Sequence, residues 1–322
     1  MPESEYLIIG DIEDGKYSYD DAIEAIDNRN NTKVVFLGDI YTPRSNSLSI
    51  SRVETILRKF GYTIPEVIKQ FKTTDDCQLA INKFEEIYRA KTIDIYTCND
   101  RFKRDDVTKA IILQDIITSE ECRSDAVFLF GNKEVEILRD FHSIKGINII
   151  GDSAIFSYQY NFKHKTHENT LKYTAHDVNV LLAYFKLCRH VFFKFNTLIT
   201  HIYINSRIVV QTLLPDSHIE QTICGHNRCF GKYKDNANSD VGIYVIDISH
   251  EDDHCVKNYI RLRKNEVTFF SLTSEASDTL KHTMSANKTF LMSFDDVGHC
   301  IGAIAFRKAQ LETIKNGYIN KI

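Results

Sequence analysis

The stretches YLIIGD (6–11) and VVFLGD (34–39) decide the fold of this chain. Each is a short apolar run that ends in Gly-Asp, and runs of this kind are typical of buried strands. The polar segment between them contains DDAIEAIDNR (20–29), whose apolar residues have helical spacing. The pattern therefore predicts a βαβ unit in which a right-handed crossover joins two parallel strands.

Three further apolar runs end in a residue type that binds metals. VFLFGN ends at Asn132, LITH ends at His201 and ICGH ends at His226. In an open α/β sheet, ligands collect just beyond the carboxyl ends of the strands. Two aspartates, one asparagine and two histidines at such an edge can hold two divalent cations. The first hypothesis is therefore a metal-dependent hydrolase.

Composition narrows the class of protein. The chain has 322 residues, of which 43% are hydrophobic and 26% charged, as in a folded globular protein. Its net charge of −4 argues against a protein that coats nucleic acid or binds acidic membranes, although a nucleotide substrate stays open. No apolar stretch reaches the roughly 18 residues that indicate a membrane-spanning helix. We expect no membrane partner and no bulk binding to nucleic acid.

The cysteines indicate a reducing compartment. The eight cysteines show no paired spacing, and the opening MPESEYLIIGD is acidic, unlike a signal peptide. Reduced thiols and a cytoplasmic location are therefore expected. Cys224 and Cys229 flank His226, but a single pair with this spacing is only a weak indication of structural zinc.

One competing motif overlaps the first strand end. GDIEDGK (10–16) matches the Gly-x4-Gly-Lys part of a phosphate-binding loop. Tyr17 stands where the magnesium-binding hydroxyl is needed, and three acidic side chains would face the phosphates. Charge repulsion therefore argues against a nucleotide triphosphatase and in favour of a cation at this place.

The middle of the chain is mostly helical. ISRVETILRKFG (50–61) has the spacing of an amphipathic helix that stops at glycine. Helical patterns continue through 62–124. The strand ends at Asp39 and Asn132 are separated by about 90 residues, which is long for one crossover. We therefore predict a helical insertion at 62–124 within a single domain, 1–322.

The remaining segments indicate a second sheet. Residues 157–175 are aromatic and basic without clean periodicity, which suggests an arm on the substrate side. Residues 176–195 are strongly apolar and are predicted to form one buried helix. Short strand-like pieces then follow between 197 and 306, as expected for a second sheet that packs against the first.

Five fragments resemble, in order, the motifs of calcineurin-like metallophosphoesterases, and of their serine/threonine phosphatase branch in particular. They are GDIEDG (10–15), GDIYTPR (38–44), GNKE (131–134), ITH (199–201) and GHN (225–227). The family carries GD-x-HG, GD-x-x-DR, GNHE, a strand that ends in His, and GH. The resemblance implies an α/β fold, a four-layer α/β/β/α sandwich of two mixed sheets, with the helical insertion added.

The resemblance also implies a ligand set for two divalent cations. Asp39 would bridge the cations, and Asp11 would complete one site. Asn132, His201 and His226 would complete the other. Mixed carboxylate, amide and imidazole ligands favour manganese, with iron or zinc as alternatives. Two such cations activate water and neutralise phosphoryl oxygens during in-line attack.

Several positions depart from the family pattern. Glu13 replaces a ligand histidine, and glutamate can also bind a hard cation. Lys133 replaces the histidine that protonates the leaving group, so it is expected to hold phosphate or to pair with Glu13. Thr42 and Pro43 stand where the aspartate that orients this histidine is expected. The arginine that contacts phosphate is displaced by one position, to Arg44.

Two functions are compatible with these residues. The first is a divergent phosphoesterase that hydrolyses a phosphomonoester or phosphodiester, with a nucleotide or a phosphoprotein as possible substrate. The second is a pseudophosphatase that serves as a binding or assembly module, with the insertion at 62–124 as the surface for a protein partner. A plainer alternative is that Asp11 and Asp39 only cap helices and that His201 is a core histidine.

Overall fold

A computed structural model of the chain describes residues 5–13, 16–30, 32–43, 46–91, 106–120, 122, 124–162, 165–202, 213, 219–226, 230–234, 242–247, 256–264 and 266–271. These residues form six helices and thirteen strands. The helices are α1 (Lys16–Asp27), α2 (Asn46–Lys59), α3 (Thr74–Lys91), α4 (Asp106–Glu120), α5 (Asn132–His142) and α6 (Ala175–Leu187). The strands are β1 (Tyr6–Ile9), β2 (Lys33–Phe36), β3 (Ala126–Phe128), β4 (Ile144–Ile150), β5 (Ser153–Phe162), β6 (Lys165–Thr174), β7 (Val191–Lys194), β8 (Thr197–Thr200), β9 (Gln221–Cys224), β10 (Phe230–Lys234), β11 (Gly242–Ile246), β12 (Val256–Arg263) and β13 (Glu266–Ser271).

The chain divides into two compact units. The first comprises Met1–Asp39, Ile93–Gly131 and Arg189–Ile322, and the second comprises Ile40–Thr92 and Asn132–Cys188. The predicted insertion at 62–124 is divided between the two units at residues 92 and 93.

The first sheet of the first unit contains the predicted βαβ element. Its strand order is β13-β12-β1-β2-β3, with β1, β2 and β3 parallel and β12 antiparallel to β1. Ile8 lies opposite Val35 on one side and Ile260 on the other. The parallel pair and the crossover helix α1 confirm the prediction from YLIIGD and VVFLGD.

The second sheet of this unit has the order β10-β11-β9-β8-β7. Strands β8, β9 and β11 are parallel, and β7 and β10 run antiparallel at the two edges. Thr200 lies opposite Cys224 in the register of β8 and β9. Residues that follow these two strands are therefore delivered to the same edge of the sheet.

A single hydrophobic core contains side chains from both sheets of the first unit. Alternate residues of a strand point to the same face, so each sheet contributes one face to this core. The buried members are Tyr6, Ile8, Val35, Leu37, Val127, Leu129, Phe192, Ile199, Ile223, Tyr244, Ile246, Ile260 and Leu262. Each fully buried aliphatic or phenyl side chain contributes about 1.5–3 kcal/mol.

A second cluster places α4 against the second sheet. Ile112 and Ile116 pack with Val191, Phe193 and Leu198. Strand β7 is therefore buried on both faces, because Phe192 faces the core between the sheets. The predicted helix at 176–195 is wrong beyond Leu187, where α6 ends and β7 follows at Val191. A strand buried on both faces lacks the polar alternation that would have distinguished it from a helix.

The second unit contains a three-stranded antiparallel sheet with the order β4-β5-β6, together with α2, α3, α5 and α6. Residues 157–175, predicted as an arm, lie mostly in the β5–β6 hairpin, whose strands are ten residues each. Phe156, Tyr158, Leu171 and Tyr173 are buried on one face of this hairpin. Tyr158 and Tyr173 therefore belong to a packed sheet and not to an arm.

Helix α2 confirms the amphipathic helix predicted at 50–61. Its buried positions include Ile50, Val53, Ile56 and Leu57, and Gly61 follows its end with a φ of 74°. A left-handed glycine just after a helix is a common stop. The strand-like pieces at 288–294 and 301–306 lie outside the described residues.

Asp140 of α5 makes the stability of the second unit depend on pH. Burial is the main reason that the pKa of this carboxyl is raised to about 6; the charge of Glu136 also raises it, while a hydrogen bond from Tyr158 and the charge of Arg139 lower it. The folded chain therefore holds this proton more tightly than the unfolded chain. The stabilisation is complete below the ordinary pKa of aspartate and is lost as the pH rises through about 6.

In the unaltered chain, ionisation of Asp140 should lower the free energy of unfolding by about 2 kcal/mol between pH 4 and pH 8. We expect Asp140→Asn to lack this loss. Urea unfolding at both pH values measures this difference. The same substitution at Asp125, an exposed aspartate, is the control. A pH dependence that is equal in both variants would contradict the prediction.

Candidate metal centre

Five of the predicted ligand residues lie in the first unit, and the structure brings them together. They form two overlapping groups, one of Asp39, His201 and His226 and one of Asp11, Glu13 and Asp39. Within each group the potential ligand atoms all lie within 4.8 Å of one another. Asp11 follows β1, Asp39 follows β2, and the histidines follow β8 and β9. Asp39 is common to both groups.

His201 is oriented so that one ring nitrogen faces a carboxylate. Its Nδ1 lies 3.0 Å from the carbonyl oxygen of Leu37, which can only accept, so Nδ1 carries a proton and donates it. Its Nε2 lies 3.7 Å from Asp39 Oδ2. With the proton on Nδ1, the lone pair of Nε2 is available to a cation on the side of Asp39. The ring of His226 lies beside it, with a centroid separation of 5.2 Å.

The three carboxylates of this centre are removed from water. Asp11 is 1% exposed, Asp39 is 0% exposed and Glu13 is 9% exposed. Burial of a charged carboxylate costs several kcal/mol, and like charges at this separation repel one another. A cation relieves both costs, and the oxygen and imidazole donors are those that divalent metals use. The residues present therefore fit the metals that the resemblance implies.

Three of the candidate ligand residues have a strained backbone conformation. Glu13, Asp39 and His226 have φ values of 38°, 49° and 64°, in the left-handed region that residues with a side chain seldom adopt. Each such residue costs about 1–3 kcal/mol and persists only where neighbours hold it. The N–H of Glu13 donates to Asp39 O at 2.7 Å, and the N–H of His226 donates to Asp11 Oδ2 at 3.0 Å.

Two glycines are required by close approaches at this centre. A Cβ at Gly225 would collide with Asp11 Oδ1. Gly38 has a φ of 110°, and a Cβ there would collide with the backbone of Gly131. The glycines that precede Asp39 and His226 therefore have a steric role that the sequence motif alone does not reveal.

Two buried polar residues near this centre were missed by the sequence analysis. Asn258 of β12 is 1% exposed, and its Nδ2 donates to the carbonyl oxygen of Asp11 at 2.7 Å. The backbone carbonyl oxygen of Asn258 accepts from Gly10 N at 3.0 Å. Asp247, which is 2% exposed, directly follows β11, a strand parallel to β9 in the second sheet. The apolar run that ends at Asp247 could have revealed that aspartate.

Asn258 is expected to hold the segment from Gly10 to Glu13 in place. Asn258→Ala should lower the free energy of unfolding by about 1–3 kcal/mol, because a buried carbonyl loses its donor. It should also weaken metal binding by about 10–100-fold, as removal of groups that orient ligands typically does. Calorimetric titration with manganese and urea unfolding measure the two effects. Asn148→Ala, at an exposed asparagine of β4, should change neither quantity.

The other predicted site residues lie in the second unit or outside the described residues. Asn132 begins α5 in the second unit and is 4% exposed. Lys133 forms an ion pair with Glu136 of the same helix, with a separation of 3.6 Å. Thr42 is buried in the second unit. Arg44 lies outside the described residues.

Comparison with known proteins adds no family. The chain matches no protein-family model, no curated protein and no solved structure. Among the helices described, none is both long enough and apolar enough to cross a membrane.

Proposed function

We propose that the chain is a divergent metal-dependent phosphoesterase that hydrolyses a phosphomonoester or a phosphodiester through a two-metal site. The observation that carries the proposal is that Asp39 belongs to two ligand groups at once. A carboxylate has two oxygens, so it can bridge two cations. Two cations bound in this way would neutralise phosphoryl oxygens and acidify the attacking water.

The fold supports the same proposal. We infer a four-layer α/β/β/α arrangement for the first unit. In its support, both sheets contribute to one core, α4 packs on β7 and β8, and α1 lies against β12. In such an arrangement the carboxyl ends of parallel strands from both sheets can supply ligands to one site.

The residues of this chain have distinct roles in the proposal. Asp11 and Glu13 hold one cation with Asp39, and His201 and His226 hold the other. The Leu37 carbonyl fixes the His201 ring, so that Nε2 stays available on the side of Asp39. Asn132 is proposed as a further ligand of the second cation. Lys133 and Arg44 are proposed to bind the phosphate of the substrate.

The proposal has a consequence for substrate choice. The position of the family's general acid is occupied by Lys133, which pairs with Glu136. Loss of general acid catalysis typically costs about 10²–10⁴-fold in rate. The chain should therefore prefer esters whose leaving group departs without a proton. Activated aryl esters meet this requirement, and alkyl esters do not.

The test is hydrolysis of aryl phosphate mono- and diesters by protein that has been stripped of metal and reloaded with manganese. We expect turnover that requires manganese and is abolished by a chelator. An alkyl phosphate should react about 10²–10⁴-fold more slowly. Folded protein that binds no metal, or that shows no turnover above the stripped protein, contradicts the proposal.

A second candidate is a pseudophosphatase that keeps the fold and a metal without turnover and serves as a binding or assembly module. The ion pair between Lys133 and Glu136 favours it, because that lysine then has another partner than the substrate. Metal uptake without hydrolysis of any aryl ester would select this candidate. In either case a cytoplasmic location, a nucleotide or phosphoprotein ligand, and a protein partner at 62–124 stay predictions.

A further inference from the structure

The two ligand groups differ in the chemistry of their donors. The group of Asp11, Glu13 and Asp39 offers oxygen alone. The group of Asp39, His201 and His226 offers two imidazole rings and one carboxylate. We call the first group the oxygen subsite and the second the imidazole subsite. The difference arises at Glu13, because the resembling family has a histidine at that position.

Donor type and charge select different cations. Carboxylate oxygens suit magnesium and manganese, whereas imidazole suits zinc and iron. Raw affinity favours zinc over manganese at almost any site, so discrimination depends on ligand type and geometry. The oxygen subsite collects three negative charges in a buried space, while the imidazole subsite carries only the one charge of Asp39.

The structure holds Glu13 towards the oxygen subsite. The residue is 9% exposed, and its N–H donates to Asp39 O at 2.7 Å. The preceding segment is anchored by Asn258, which donates to the carbonyl oxygen of Asp11. Glu13 also adopts a φ of 38°, which is unusual for glutamate.

We propose that the two subsites bind different metals, with manganese or magnesium in the oxygen subsite and zinc or iron in the imidazole subsite. This inference rests on the proposed function, since it assumes that both subsites are occupied. Glu13 is the residue that determines the preference. The chain is then a mixed-metal protein in which one carboxylate, Asp39, joins a hard cation to a softer one.

The test is metal content and not activity. Full-length protein stripped of metal is dialysed against manganese in large excess over zinc, which offsets the greater raw affinity of zinc, and is then freed of unbound ions. We expect one manganese and one zinc per chain by mass spectrometry. Electron paramagnetic resonance should show an isolated manganese ion, because its neighbour is diamagnetic, and not a spin-coupled pair.

Two variants of Glu13 sharpen the test. Glu13→His should replace the manganese by a second zinc, and histidine tolerates a positive φ better than glutamate does. Glu13→Gln removes one charge and should weaken manganese binding by about a hundredfold while zinc stays bound. Glu266→His, at an exposed glutamate of β13, is the matched control and should bind one of each metal. Unfolding in urea checks that all variants are folded.

The outcomes separate the two levels of inference. Two zinc ions in the unaltered chain, or equal metal content in Glu13→His and the unaltered chain, would overturn the metal preference and leave the two-metal site intact. Absence of both metals from folded protein would overturn the proposed function as well.

Discussion

Asp39→Asn is expected to abolish hydrolysis, with a loss of at least about a thousandfold, more than removal of a single oxyanion-hole donor usually costs. Asp39 is the carboxylate shared by both ligand groups and is 0% exposed. An amide offers one neutral oxygen in place of two that share a negative charge. Both cations should therefore bind more weakly, and turnover of an aryl phosphate by the manganese-loaded protein measures the loss.

The fold should survive this substitution. Asp39 has a φ of 49°, and asparagine is one of the residues that tolerate the left-handed region best. Its carbonyl oxygen, which accepts from Glu13 N, is unchanged. Asp125→Asn is the matched control, because it removes the same charge at an exposed position. Asp125 precedes β3 and so lies at the amino ends of the parallel strands, whereas Asp39 lies at their carboxyl ends. Retention of metal binding by Asp39→Asn would show that Asp39 is no bridging ligand.

Glu134→Ala is expected to lower the free energy of unfolding by about 3–5 kcal/mol. Glu134 is 0% exposed, and its Oε1 accepts from Ile40 N, Tyr41 N and the hydroxyl of Tyr184, all at 3.0–3.1 Å. Burial raises the pKa of Tyr184 well above its usual range, so its hydroxyl stays protonated and donates. Alanine would leave all three buried donors without this acceptor. Urea unfolding measures the loss.

Two matched variants identify the cause. Glu136→Ala removes the same side chain two residues further along α5, where it is partly exposed, and should cost at most about 1 kcal/mol. Glu134→Gln keeps one acceptor oxygen and should recover part of the stability. An equal loss in Glu134→Ala and Glu136→Ala would show that the three hydrogen bonds contribute little.

Four of the candidate ligands could be predicted from the pattern of short apolar runs alone. Asp11, Asp39, His201 and His226 each follow a short apolar run, and parallel strands necessarily bring such positions to one edge. Asp247 ends a run of the same kind, so the same rule could have found it. Asn258 could not be found by this rule, because it lies within a strand and not at its end. That strand, β12, pairs with β1 from about 250 residues away in the sequence.

Other features depend on tertiary structure. The positive φ values of Glu13 and His226 are imposed by hydrogen bonds to Asp39 and Asp11, which are remote in the chain. Phe192 could not be assigned to a strand, because its neighbours are apolar on both faces. The division into two units follows from which helices pack on which sheet. The helices on either side of 92–93, α3 and α4, belong to different units.

The candidate ligands come from different sheets, which has a consequence for folding. Asp11 and Asp39 follow strands of the first sheet, and His201 and His226 follow strands of the second. A cation shared by Asp39 and the histidines would act as a removable cross-link between the two halves of the core. At a hundredfold excess over its dissociation constant, such a ligand stabilises the folded state by about 2.7 kcal/mol. Metal supply would then set the lifetime of this protein as well as its chemistry.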